Sequence, residues 1–212
     1  MRIVIAKDKI IGQYQAFQTA NSKKAFKNPM SVNHSIPLLS SDIVADIGAY
    51  VGEFSLYAAQ SHVTKIRSYE ATPQTFQLLK HNAHPLMEVI NKAVVGNDSP
   101  FTQLYLSKGV GVTNSIAKKK SRVITVPAIR YEEAVKDATV VKIDVEGAEY
   151  TYNIIQPQLR VVLLEFHPIS KRPWLVWAKK IMQKLEDADF RAVKMPQFKH
   201  GWDLTGSWVK KD

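Results

Sequence analysis

The chain has 212 residues, 45% of them hydrophobic, and 29 lysines and arginines against 19 aspartates and glutamates give a formal net charge of +10. That length and apolar content suffice for one domain with a full core. The absence of cysteine excludes disulfides, thiolate metal sites and a thiol nucleophile. No apolar run approaches a membrane span, and Met1–Lys9 reads as a strand rather than a signal peptide, so the expected location is the cytoplasm. The positive charge points to an anionic partner: an acidic or phosphorylated substrate, a nucleic acid or a membrane surface.

In chain order, residues 1–40 form an extension that ends at Pro37, with a small hairpin around Asp8-Lys9. Residues 41–212 form the main domain, and the whole reads as a single domain. Its elements begin with a strand at 42–47, a helix at 51–60, a strand at 65–70, a helix at 73–83 and a strand at 87–94. Two β-segments, Thr102–Leu106 and Arg122–Val126, flank a polar loop that carries Gly109, Gly111 and the run Lys118-Lys119-Lys120. A strand at 139–144, a short helix from Gly147, a strand at 161–166 and a helix at about 173–188 follow. Phe190–Met195 and Trp202–Val209 read as a hairpin closing a sheet edge. Alternating strands and helices predict an α/β fold, a largely parallel sheet with helices on both faces. In the last helix, Leu175, Ala178, Met182 and Leu185 share helical spacing and read as a core stripe.

The first strand leads into Asp46-Ile47-Gly48-Ala49-Tyr50-Val51-Gly52, a strand–turn–helix unit of the kind that holds nucleotides. A dinucleotide fingerprint starting at Gly48 needs glycine where Tyr50 and Glu53 stand, so a nicotinamide-dependent oxidoreductase is disfavoured. An acid inside the turn repels phosphate and attracts an ammonium. S-adenosylmethionine, with its aminoacyl end, fits that turn. Glu70 ends the second strand and is positioned to accept from both ribose hydroxyls of an adenosine.

Two later strands also end in chemistry-bearing residues. Lys142-Ile143-Asp144-Val145-Glu146-Gly147-Ala148-Glu149 closes one, and Glu165-Phe166-His167 closes the next. If these strands are neighbours, about 4.8 Å apart, carboxylates and an imidazole converge beyond the carboxyl ends of the sheet. Glu149 also suits the first turn of a helix, complementing its dipole.

Taken with Tyr69-Glu70-Ala71-Thr72-Pro73 and Asn91-Lys92-Ala93-Val94, these segments resemble the FkbM family of S-adenosylmethionine-dependent methyltransferases. The resemblance extends over most of residues 42–168, and Lys142–Glu149 is its most specific part. It implies a Rossmann-like class I methyltransferase fold with a seven-stranded sheet of order 3-2-1-4-5-7-6. It also implies O-methylation of hydroxyls on sugars and other natural products, with S-adenosylhomocysteine as product. By the resemblance, Asp46, Gly48 and Gly52, with Ala49 and Tyr50 between them, line the methionine end. Glu70, with Ala71, meets the ribose, Asn91 and Ala93 lie near adenine, and Asp144 and Glu146 border both cofactor and acceptor. The chain departs from the family at Tyr50, where asparagine is usual, and at Ala71-Thr72-Pro73, where a proline-asparagine-proline-like run is usual.

An alcohol attacking a sulfonium methyl is helped by a general base. His167 is the side chain of the cluster that ordinarily titrates nearest pH 7, so it is the first choice, with Glu165 or Asp144 as orienting group or base. Asn114 and Ser115, with Glu146, are candidate acceptor contacts. Asp144, Glu146 and Glu165 form an oxygen-rich set suited to a divalent metal, although the expected site carries none. The net charge leaves an RNA methyltransferase, or a non-catalytic nucleic-acid-binding protein on this scaffold, as the alternative to a small-molecule or glycan acceptor. RNA ribose methyltransferases commonly use a Lys–Asp–Lys–Glu set, and the second lysine is missing where Glu165 and His167 stand.

Overall fold

The computed structural model describes residues 36–107, 114–117, 122–169, 174–199 and 203–211. Several expectations fall outside these residues: the hairpin around Asp8-Lys9, Gly109 and Gly111, and the lysine run 118–120.

The centre of the fold is β1 (Ile43–Ile47), where Val44, Ala45, Asp46 and Ile47 are all buried. Burial on both faces is the mark of an interior parallel strand. It pairs in parallel with β2 (Lys65–Tyr69) on one side and β7 (Val140–Ile143) on the other. Beyond β2 lies β3 (Met87–Ile90), and beyond β7 lies β8 (Val161–Phe166), both parallel to their neighbours. Then β10 (Asp203–Lys210) runs antiparallel to β8, and β9 (Phe190–Lys199) forms the edge. The sheet order is β3-β2-β1-β7-β8-β10-β9. Counted along the chain within this sheet alone, that is 3-2-1-4-5-7-6, the order the resemblance implied.

Side-chain alternation divides the strands between two cores. Val44, Val140, Val161 and Leu163 meet Phe54, Leu56, Ala58 and Ala59 of helix α1 (Glu53–Gln60) and Leu79 of α2 (Pro73–His81). Their neighbours Ala45, Ile47, Val141, Ile143, Val162 and Leu164 meet Ala178 and Leu185 of the long helix near the chain's end. Helices on both faces follow from this division. Pro73 opens α2 at its first turn, where the missing N–H costs nothing.

Three differences from the expected elements have physical causes. The apolar run 87–94 breaks at Asn91-Lys92: Asn91 turns its amide to the Glu70 carbonyl at 2.8 Å, and the chain leaves the main sheet. Its second half, β4 (Ala93–Val95), begins a separate sheet with β6 (Arg122–Arg130) and β5 (Phe101–Leu106), in the order β4-β6-β5. The single-turn α3 (Tyr131–Ala134) follows β6 directly and is too short to show a helical period. In α4 (Trp174–Asp187), Ala178 and Leu185 are fully buried, whereas Leu175 is 39% exposed, so the core stripe does not reach the first turn. Among the described residues no helix is long and apolar enough to cross a membrane.

Candidate functional site

The carboxyl ends of β1, β2, β7 and β8 lie side by side, and the candidate residues fall there in two groups. In the first group, at the ends of β1 and β2, Asp46 is wholly buried. Ser55 Oγ donates to its Oδ2 at 2.7 Å, and the Ser55 and Ser68 hydroxyls are 2.7 Å apart. Lys142 Nζ stands 3.4 Å from Asp46 Oδ1 and 3.4 Å from Asp144 Oδ2, and donates to the Gly48 carbonyl at 2.9 Å. Burial opposes the charge on Lys142, but Asp144, Asp46 and Glu165 outweigh it and lift its pKa above the ordinary lysine range. Asp46 was expected to face a ligand ammonium; its carboxylate instead faces this buried lysine and Ser55.

The turn itself is fixed by steric need. Gly48 has φ +77°, and a Cβ on it would lie 1.9 Å from the Asp144 carbonyl oxygen, so only glycine lets the β1 and β7 turns approach. Gly52, at φ 95°, caps α1, which therefore starts two residues later than the pattern suggested. Between them Tyr50 holds φ 53° and presents its backbone N–H to Glu70 Oε2 at 3.1 Å.

Glu70 is 8% exposed. Its Oε1 accepts from Thr72 N at 2.7 Å. Burial pushes its pKa up from 4.5 to about 7, against the pull of the Thr72 and Tyr50 hydrogen bonds and of Lys142. Asn91 supports this turn through the Glu70 and Ala71 carbonyls, at 2.8 and 3.4 Å. Ala93 is buried in the core of the small sheet, with Ala71 packed against it. Asn114 donates to Thr72 Oγ1 at 3.1 Å and accepts from Ser107 N at 2.8 Å, so the small sheet is tied to the Glu70 turn.

In the acceptor group, β7 and β8 are adjacent and parallel, as the clustering argument required. His167 is 3% exposed. Its Nε2 lies 3.5 Å from Glu146 Oε1, 3.6 Å from Asp144 Oδ1 and 3.8 Å from Glu165 Oε1. On its other side, Nδ1 lies 3.5 Å from Glu149 Oε1 and makes no hydrogen bond. Glu149 is completely buried; it accepts from Gly147 N at 2.8 Å and His167 N at 2.7 Å, locking the two turns together. Glu149 is therefore a bridge between turns rather than a dipole partner of a long helix. Ser115 Oγ donates to the Glu146 carbonyl at 2.7 Å, which seats the β5–β6 connection on the same cluster.

The expectation that His167 titrates near neutrality needs correction. Burial alone lowers its pKa, but Glu149, Asp144 and Glu146 raise it to about 10, so in the unliganded chain it carries its proton at pH 7.

Sequence reasoning assigned no role to Lys142, Ser55, Ser68 or Thr72. Lys142 had a readable signal, a lone charge inside the apolar run Val140–Ile143, since an unpaired lysine is almost never buried. The three hydroxyls had none.

The family model of the FkbM methyltransferase domain matches residues 46–192. No curated protein matches the chain. Among similar solved structures, a putative S-adenosylmethionine-dependent methyltransferase from Listeria monocytogenes has a TM-score of 0.50 at 10% identity, over 92% of this chain and 100% of that one. The precorrin-6y C5,15-methyltransferase of Geobacter metallireducens GS-15 has a TM-score of 0.48 at 14% identity, over 98% and 94%. The TrmK of M. capricolum, solved with S-adenosylhomocysteine, has a TM-score of 0.49 at 9% identity; the match covers 82% of this chain but only 65% of that protein. The first of these likenesses concerns the fold alone. The family match spans well over half of the sequence and includes the Gly48 turn, Glu70 and the His167 cluster, and so the chain belongs to the FkbM family of S-adenosylmethionine-dependent methyltransferases.

Proposed function

We propose that this methyltransferase acts on a hydroxyl oxygen of a small acceptor, a sugar or another secondary-metabolite-like alcohol, and releases S-adenosylhomocysteine. The observation that carries the reading is the acceptor group. Three carboxylates stand within 3.5–3.8 Å of Nε2 of one buried imidazole, and a fourth, Glu149, stands 3.5 Å from its Nδ1. In the transfer the new O–CH3 bond forms as the S–CH3 bond breaks, and the hydroxyl proton leaves with a base. A positioned base contributes about 10²–10⁴-fold. The groups placed to take that proton are Asp144 and Glu165, with His167 beside both. Asp46, Gly48, Ala49, Tyr50 and Gly52 shape the methionine end, Glu70 and Ala71 the ribose end, and Asn91 and Ala93 the adenine side. Glu146, Asn114 and Ser115 border the acceptor.

The test is methyl transfer from radiolabelled S-adenosylmethionine to a panel of neutral and anionic sugars and polyols, with amines and thiols beside them. Labelled product only from hydroxylated compounds, reduced at least a hundredfold in Asp144→Asn or Glu165→Gln, is the expected result. Turnover confined to amines or thiols would overturn the reading. The net charge of +10 supports a second reading, with RNA as acceptor. Transfer to RNA with steep salt dependence would select it.

A further inference from the structure

We propose that Asp144, Glu165 and His167 bind a divalent metal ion, of a class that Mn²⁺ represents, beyond the carboxyl ends of β7 and β8. The inference rests on the acceptor reading above, because the ion would lie where the hydroxyl is expected to enter.

The spacing is that of ligands rather than of hydrogen-bonded partners. One donor atom from each of the three residues falls within a set whose members all lie within 4.8 Å of one another. From His167 Nε2, the carboxylate oxygens of Asp144 and Glu165 are 3.6 and 3.8 Å away, and Glu146 Oε1 is 3.5 Å away. A nitrogen–oxygen hydrogen bond is about 2.7–3.2 Å long, and these separations exceed it. Neighbouring ligands about 2.1 Å from a common ion are separated by about 3.0 Å in octahedral and about 3.4 Å in tetrahedral coordination, so these groups would draw in slightly on binding. The Nε2 separations fall just beyond that range.

The second observation is the state of the imidazole. His167 is 3% exposed, and its Nδ1 is buried without a hydrogen bond among the described residues. Buried polar groups are nearly always hydrogen-bonded, and a ring drawn about an ion on its Nε2 side, with Nδ1 closing on Glu149, would satisfy both nitrogens. Its surroundings match the usual setting of a metal-bound histidine. Nδ1 faces a carboxylate, Glu149 Oε1 at 3.5 Å, while Nε2, which would release its proton on binding, faces the proposed ion. Glu149 is held rigid by the Gly147 and His167 backbone N–H groups, which fixes the ring plane.

One imidazole and two carboxylates, without thiolate, favour hard or borderline ions such as Mn²⁺ and Mg²⁺. An acceptor hydroxyl bound as a further ligand would lose its proton more readily, the chemistry expected of a Lewis acid at that position.

The test uses the full chain, freed of metal by chelation and dialysis and then titrated with MnCl2 under electron paramagnetic resonance detection. The expected result is one Mn²⁺ per chain with micromolar affinity, weakened at least tenfold in Glu165→Gln and in Asp144→Asn. Glu88→Gln, an exposed acid on β3, is the control and should bind as the unaltered chain does. Circular dichroism confirms that each variant is folded. Absence of stoichiometric binding, or equal binding in all variants, would overturn the proposal. A parallel calorimetric titration of the unaltered chain with S-adenosylhomocysteine separates the two readings. If that ligand binds and Mn²⁺ does not, only the metal inference falls. If Mn²⁺ binds as expected but the labelled methyl group goes only to amines or thiols, the hydroxyl acceptor falls and the metal site stands.

Discussion

Glu70→Ala is the sharpest test of the proposed cofactor contacts. In the unliganded chain one lone pair on each carboxylate oxygen is taken, by Tyr50 N at 3.1 Å and Thr72 N at 2.7 Å. An ionised carboxylate offers about four acceptor positions, so one on each oxygen remains for the two ribose hydroxyls. Hydrogen bonds to a charged acceptor contribute about 1.5–3 kcal/mol each. Losing one raises the dissociation constant about tenfold, and losing both raises it a hundredfold or more. The folded pKa of about 7 adds a pH signature. Below it the carboxylate binds a proton that competes with the ribose, so wild-type affinity falls by about tenfold in all as pH drops from 8 to 6. Stability moves the other way. Between 4.5 and about 7 the folded chain holds a proton that the unfolded chain has released, so the unliganded protein loses about 3 kcal/mol as pH rises through that window. The assay is calorimetric titration with S-adenosylhomocysteine at pH 8 and pH 6, on wild type and variant, with NADH as a control. Affinity of the variant within about threefold of wild type at pH 8, or the same pH dependence in both, would refute the reasoning.

Three further outcomes are expected. Lys142→Met removes the cation between Asp46 and Asp144 and the donor to the Gly48 carbonyl. It should lower the melting temperature by several degrees and raise the S-adenosylhomocysteine dissociation constant at least tenfold, whereas a variant indistinguishable from wild type in both would deny Lys142 its place in the turn. Gly48→Ala forces a Cβ into the Asp144 carbonyl at a positive φ and should cost more than about 2 kcal/mol in urea denaturation; a loss under about 0.5 kcal/mol would contradict the close approach. Arg160→Ala, which leaves buried Asp42 with Thr139 and the Leu39 N–H as partners, should cost about 1–2 kcal/mol in stability, discounted for the half-buried guanidinium. Because this pair lies at the opposite end of the sheet from the candidate site, cofactor affinity should be unchanged, and a change would mean that the two ends are coupled.

Much of the site was legible because its signals are local. An apolar run ending in Asp46, a glycine at each bend of the turn and an acid closing the next strand are backbone and charge requirements that appear in consecutive residues. The second sheet was not legible. Ala93–Val95 and Arg122–Arg130 pair across a long separation in sequence, and nothing in either strand specifies the other. The break between β3 and β4 depends on an Asn91 amide reaching the Glu70 carbonyl, a contact that exists only once β2 and β3 lie side by side.

By itself the sequence determined the class of fold, the glycine turn after the first strand and the identities of the residues at the strand ends. Strand period, turn chemistry and the family motif all act over short stretches of chain. Tertiary structure decided what those residues are to one another. Asp46 became the buried partner of Lys142 because β1 and β7 are neighbours in register, Asp46 opposite Lys142. His167 became a ring among four carboxylates, its pKa displaced far from neutrality, because β8 ends beside the Asp144–Glu149 turn. Burial and electrostatic fields depend on every neighbour in space, and only folding supplies those neighbours.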